Sequence, residues 1–413
     1  MIKVDYANAR PLDVHRWSDY SEVNIFVNEI YNDLKSIKGN EAISKKLVKV
    51  ILLDLYVAWC ADHSLMLMFS RDNNAYKAKS RYNELHIGKK IIGIVDALVK
   101  DGVIGQKKGF KDRISGIGFQ SRLWATNKLK AHFETVKFSQ FVITRNEDWD
   151  PIILRDKDKK NKEYDDTVET NRMRSVLLDY IKILENTHID IYDLDTPVLT
   201  VGTKKRTMRL QINQQDKLVR RVFNNLRWDQ GGRFYGGWWQ RCPKDYRKKI
   251  KMDGIMTAEV DFSGLHIVLL YAEEGINYWA EVNEDPYQLH GINDIDPDIN
   301  IRAAAKLLLL TAINSDDRKK TFQAFRAQSK AGTPEKKMTN EQLASMLAAL
   351  SNKHAPIAHQ LASGAGIDLM YVDSRITEKL IEKFTYEYQC PMLTVHDSYI
   401  VPFGYDHILH QEM

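Results

Sequence analysis

A chain of 413 residues and 47.9 kDa is long enough for two or three domains, each with a core of its own. With 44% hydrophobic and 28% charged residues it has the make-up of a soluble globular protein, which excludes a fibrous or low-complexity chain. A net charge of +5 permits an anionic partner such as nucleic acid without requiring one.

The three cysteines, Cys60, Cys242 and Cys390, lie far apart with no CxxC spacing. Neither a disulfide framework nor a zinc site is expected, in keeping with a reducing, cytoplasmic setting. The N-terminal stretch MIKVDYANARPLDV lacks the apolar core of a signal peptide. No membrane partner is expected either. The most apolar run, KKLVKVILLDLYVAWCADHSLMLMF, is broken by Asp54, Asp62 and His63 and reads as a buried helix pair.

Apolar residues at three and four spacing predict helices across 20–70. HIGKKIIGIVDALVKDGVI then reads as an amphipathic helix entering a short strand, and GQKKGFKDRISGIGFQSRLWAT as two strands around a basic, glycine-containing turn. Helix, strand, loop and strand in that order look like a winged helix, with Lys107, Lys108, Lys111 and Arg113 on or near the wing. Such a wing can touch phosphates, because backbone contacts need only positive charge and reach; the plainer reading is a solvated hairpin tip. SQFVITRNEDWDPIILRDKDKKNKEYDD reads as two strands and a charge-dense loop over 155–162 that marks a domain boundary. TNRMRSVLLDYIKILENTHIDI restores helical periodicity, with Met173, Val176, Leu177, Tyr180, Ile181 and Leu184 on one side.

Residues 229–250, DQGGRFYGGWWQRCPKDYRKKI, combine four glycines and five aromatics with a dense set of Arg and Lys. Glycine lets a backbone approach a ligand, aromatics stack on bases, and guanidinium groups bind phosphate. Nucleic-acid contact is therefore favoured over tight turns packed on a core.

In TAEVDFSGLHIVLLYAEEG a strand-like run delivers Asp261 where helical periodicity begins, and Gly275 ends the pattern. Helix capping is the ordinary reason for such an Asp, but Ser263 can serve as the N-cap, which leaves Asp261 open to hold a metal. YQCPMLTVHDSYIVPF reads as a tight hairpin with His396 and Asp397 at its turn. If both elements share a sheet, the two carboxylates face each other, and divalent cations remove their repulsion. Between them, NIRAAAKLLLLTAINS puts Arg302 and Lys306 four apart on one helix face, suited to a triphosphate.

This order of motifs resembles the polymerase module of family A DNA polymerases and the related single-subunit RNA polymerases, over about residues 165 to 405. Asp261-Phe262-Ser263-Gly264-Leu265-His266 is similar to motif A, Arg302 and Lys306 to the R-x3-K of motif B, and His396-Asp397-Ser398 to motif C. Gly232-Arg233 and Gln240-Arg241-Cys242-Pro243 echo the upstream primer-template segment, and His290, twelve before Arg302, has the spacing of a phosphate-side His. The resemblance implies a right-hand palm of antiparallel sheet with helical fingers and thumb-like helices; with the helical, winged-helix domain read before it, the chain is expected to be α+β. The segments expected are 1–135 for that domain, 136–165 for a strand pair and charged linker, 166–255 for thumb-like helices and the primer-template segment, and 256–413 for palm and fingers.

It also implies roles. Asp261 and Asp397 would hold two Mg²⁺ ions, with Mn²⁺ as a substitute. Arg302, Lys306, His290 and His266 would bind the nucleotide, and Arg233, Gln240, Arg241 and His396 would contact nucleic acid; Lys107 and Lys108, outside the resemblance, would contact it from the wing. DNA primer-template, nucleoside triphosphates and a replication accessory protein are the partners expected. The chain departs from the pattern at His266, where DNA polymerases carry a Glu that excludes the ribose 2′-hydroxyl, and at Leu310 and Asn314, where aromatic residues are usual. With His-Asp-Ser in motif C, these departures point to use of ribonucleotides and to primase-polymerases of phages and mobile elements. No acidic cluster with the spacing of a proofreading exonuclease precedes the module, so editing is not expected. Residues 404–413 read as the opening of another helix, as in a chain cut short. Two other readings stand beside the polymerase: a DNA-binding replication or regulatory protein with a degenerate palm, and a metal-dependent nuclease, which would have no use for the Arg302 and Lys306 helix.

Overall fold

The computed structural model describes residues 5–111, 118–145, 149–203, 206–292 and 295–413. Its helices and small, mostly antiparallel sheets make the chain an α+β protein. Two compact units share the chain in alternation: residues 1–151, 165–219 and 236–257 form the first, and residues 152–164, 220–235 and 258–413 the second. These bounds cut across the four consecutive segments read along the sequence, because strand pairing joins stretches that local periodicity treats separately.

The helix Glu41–Ala61 lies at the centre of the first unit. Asn40 caps it by accepting the Ile43 N–H at 3.0 Å, and its residues from Leu47 to Ala58 are buried on every face. Helices Ser21–Asn32 and Lys90–Lys100 and the strand Met66–Phe69 enclose it. Its buried carboxylate, Asp54, is compensated: Arg10 Nη1 and Nη2 donate to it at 2.9 and 2.6 Å, Arg16 Nε at 2.6 Å and the Asp13 N–H at 2.8 Å. After Ala61 the expected second helix of the pair does not form. Asp62 turns the chain by accepting the Ser64 N–H at 2.7 Å, and the apolar residues beyond it become the strand Met66–Phe69. No helix among the described residues is long and apolar enough to cross a membrane.

That strand belongs to a four-stranded sheet in the order Ala9–Pro11, Met66–Phe69, Ser121–Ala125, Ile104–Lys107, with Ser121–Ala125 antiparallel to both neighbours. Beyond it Phe110–Lys111 pairs with Gly118–Phe119 as a short ribbon, and the rings of Phe110 and Phe119 stack at 5.1 Å. Lys107, Lys108 and Lys111 are exposed there, and Arg113 lies outside the described residues. The segment expected to supply thumb-like helices holds one long helix among its described residues, Val168–Asn186, and is otherwise mostly strands and short turns. A Thr167–Thr170 capping box starts this helix, and all six residues expected on its apolar side are buried.

In the second unit, Ile152–Arg155 pairs antiparallel with Asn161–Lys162 and parallel with Val219–Phe223, beside Gly231–Gly236. The charged loop read as a linker is the turn of this hairpin, closed by Asp156, which accepts the N–H groups of Asp158 and Lys160 at 3.0 and 2.9 Å. Helices Leu265–Glu273, Ile301–Ile313 and Asn340–Lys353 bury Ile267, Leu270, Leu308, Leu309 and Leu350 in one core. Full burial of each such side chain contributes about 2 kcal/mol.

Candidate active site

The strand Ile255–Asp261 ends with Asp261 exposed. Gly264, in the left-handed region at φ 67°, turns the chain into the helix Leu265–Glu273 and occupies its N-cap position without a side-chain hydrogen bond. Ser263, expected as the cap, sits one residue too early to serve. Strands Leu393–Val395 and Ser398–Pro402 are buried throughout, and Val395 pairs with Ser398, which leaves His396 and Asp397 as the two-residue loop. His396 is also left-handed, at φ 56°. Ser398–Pro402 lies next to Ile255–Asp261 in the sheet, and the Phe262 N–H donates to the Asp397 carbonyl at 3.4 Å. Both expected carboxylates thus stand at neighbouring strand ends.

Tyr287 joins them to the expected cations. Its ring is buried, with the Arg302 guanidinium 5.6 Å and the Lys306 ammonium 5.3 Å from its centroid. Burial pushes its hydroxyl pKa up, Arg302 pulls it down, and Asp285, Asp397 and Asp261 push it up further. Arg302 Nε donates to Asp285 at 2.5 Å. The loop that carries Asp285 and Tyr287 is pinned from the protein side. Tyr278 donates to the Glu284 carbonyl at 3.0 Å, Lys353 pairs with Glu284 at 3.0 Å, and His354 Nε2 donates to the Pro286 carbonyl at 2.8 Å. His354 Nδ1 is then the acceptor for the Tyr271 hydroxyl at 3.1 Å. Burial lowers the His354 pKa, which keeps that neutral arrangement.

Two arginines tie the strands Val219–Phe223 and Gly231–Gly236 to the helix Gly366–Glu382. Arg221 Nη1 pairs with Glu378 at 2.6 Å, almost wholly buried, and Arg233 pairs with Asp373 at 2.6 Å. Gly232, at φ 72°, lets the strand come close: a Cβ there would meet Ser374 Oγ at 2.7 Å and the Phe223 ring at 2.9 Å. Arg233 Nη2 also reaches His266 Nε2 at 3.2 Å. Sequence reasoning named Arg233 and His266 but missed Asp373, Asp285 and Tyr287. For Asp373 the signal was present, since it falls on the buried face of its helix with Leu369, Thr377, Leu380 and Ile381.

The glycine and aromatic segment divides. Trp238 and Trp239 are wholly buried and cannot stack on a base, which corrects the reading of them as a stacking surface; Tyr235 and Tyr246 are exposed. The buried rings fill core next to tight backbone turns: a Cβ at Gly236 would meet the Leu218 carbonyl at 2.0 Å, and one at Gly237 the Trp239 ring at 2.4 Å. Gln240 accepts the Gly236 N–H at 3.0 Å, and Arg241 pairs with Asp216 at 2.5 Å, both in the first unit. His290 and His396 are exposed, and no hydrogen bond or ion pair joins His290 to the cluster among the described residues. No group of three or more His, Cys, Asp or Glu side chains able to hold an ion occurs among the described residues. No protein-family model, curated protein or solved structure matches the chain.

Proposed function

We propose that the chain is a template-directed nucleotidyltransferase, a DNA polymerase or primase-polymerase whose second unit is a palm of the family A kind. The observation that carries this reading is Tyr287, whose ring lies against Arg302 and Lys306 and whose hydroxyl would stand 3.7 Å from a Cβ at Gly264, on the turn that follows Asp261. Carboxylates and cations so convergent suit a nucleoside triphosphate.

Asp261, exposed, and Asp397, half-buried, fit Mg²⁺, which takes few carboxylates and draws its remaining ligands from water and phosphate. Bound there, the ions would supply activation of a 3′-hydroxyl and charge for the leaving pyrophosphate. Arg302 would exchange Asp285 for phosphate oxygens, with Lys306 one turn away on the same face. His266 stands where a Glu would repel ribonucleotides; neutral through burial, it presents no carboxylate to the sugar. In the first unit, a strand, a helix and a strand pair around Ser121–Ala125, ending in an exposed basic ribbon, support a winged helix that holds DNA through Lys107 and Lys108.

Single-nucleotide incorporation of ATP and dATP on a primed DNA template, with Mg²⁺ or Mn²⁺, tests this. Wild type should add both, and Asp261→Asn or Asp397→Asn should lower kcat by about 1000-fold or more while DNA binding survives. An inactive wild type that still binds DNA would favour the non-catalytic reading, and strand cleavage in place of addition would favour a nuclease. Strict rejection of ATP would remove the ribonucleotide part alone.

A further inference from the structure

Two ion pairs of similar composition join neighbouring strands, one each, to the helix Gly366–Glu382, and they differ in what surrounds them. Arg221–Glu378 is enclosed, with side chains only 2% and 4% exposed. Arg233–Asp373 is open on one side, with Arg233 16% exposed and Asp373 at 0%. Arg233 Nε and Nη2 converge on a single oxygen, Asp373 Oδ2, at 2.7 and 2.6 Å. Its third nitrogen, Nη1, has no protein partner among the described residues.

A guanidinium only donates hydrogen bonds, so His266 Nε2, 3.2 Å from Arg233 Nη2, must accept. The imidazole is then neutral with its proton on Nδ1. Burial and the neighbouring Arg233 both lower the His266 pKa, against the pull of Asp397, in agreement with a neutral ring. One turn along the helix from Asp373, Thr377 hydrogen-bonds the Tyr399 hydroxyl at 2.9 Å, so this part of the helix packs on the strand that begins just after Asp397.

We infer that Asp373 is a positioning residue: it fixes Arg233 so that one guanidinium edge stays open, and through Arg233 it holds His266 as the Nδ1–H tautomer. The open edge is a donor for the 3′-terminal nucleotide of the strand being extended. That use rests on the nucleotidyltransferase reading; the fixing of Arg233 and His266 does not.

The test uses the full chain as wild type, Asp373→Asn, Arg233→Ala, the double variant and Glu378→Gln. Imidazole ¹⁵N NMR, assigned through His266→Gln, should give a neutral Nδ1–H signature for His266 in wild type and in Glu378→Gln. Arg233→Ala and Asp373→Asn should move it toward a mixture of tautomers. In primer extension Asp373→Asn should lower kcat about 100-fold, the effect of a misplaced group, with a smaller change in KM. The double variant should fall little below Arg233→Ala alone, because the two residues act as one unit. Glu378→Gln should lower the melting temperature but leave kcat/KM near wild type. An Nε2–H signature in wild type, a tautomer unchanged in Asp373→Asn, or fully additive kinetic losses would overturn the inference. If wild type adds no nucleotide at all, the polymerase reading falls while the tautomer spectra still decide the role of Asp373.

Discussion

Burial holds the Asp373 carboxyl up at about 6, with Arg233 pulling it down and Asp397 adding to the rise. Between 3.8 and about 6 the native chain keeps this proton while the unfolded chain has released it. Stability contributed by this group is therefore full at low pH and falls as pH rises through that window, by about 3 kcal/mol in all. Unfolding free energies from urea titrations should give a wild-type minus Asp373→Asn difference that drops by most of that amount from pH 4 to 7; a flat difference would contradict it. The same residue marks the limit of legibility. Asp261, Asp397, Arg302 and Lys306 could be read in the sequence because each sits in a local pattern, at a strand end, a hairpin turn or one helix face. Asp285 and Tyr287 gain meaning only from partners farther along the chain, which no local period records; for Asp373 the helical period marks the buried face but not the partner, Arg233, that gives the burial its meaning.

At the scale of elements, the helix Gly366–Glu382 is the piece on which the site leans, and its docking depends on the missing side chain of Gly232. Adding a methyl group there meets Ser374, whose hydroxyl already donates to the Tyr371 carbonyl at 2.8 Å, and the Phe223 ring; the φ of 72° adds strain. Gly232→Ala should cost about 2 kcal/mol in equilibrium unfolding, and an unchanged denaturation midpoint would mean the helix is not held so closely. Amphipathic helices were the most legible elements, as Val168–Asn186 illustrates, because one buried stripe sets their period. Short apolar runs were not: LMLMF fits a helix or a strand equally, and the turn at Asp62 decides. Composition likewise cannot tell an outward Trp from a buried one, so a segment rich in aromatics reads the same whether Trp238 and Trp239 face a ligand or the core.

For the whole molecule, the alternation of the two units along the chain governs how it can be divided. A fragment of residues 166–413 keeps Asp261, Arg302, Lys306 and Asp397, yet it loses Ile152–Arg155 and Asn161–Lys162. The edge of Val219–Phe223 is then left unpaired, where Arg221↔Ile152, Val222↔Ile153 and Phe223↔Leu154 had been in register. Expressed alone, this fragment should be largely insoluble, or elute as aggregates in size exclusion, whereas the full chain runs as a defined species; a soluble fragment with native near-UV circular dichroism would refute this.

The strand Ile152–Arg155 has a further consequence during synthesis. It leaves the ribosome well before Val219–Phe223, its parallel partner, and the helix Val168–Asn186 and a β-hairpin emerge in the interval. An apolar strand must therefore wait, unpaired on that side, while the intervening residues of the other unit are still being made. Translation speed across residues 156–218, and the chaperones that attend nascent chains, would then set the yield of folded protein more strongly than its final stability does.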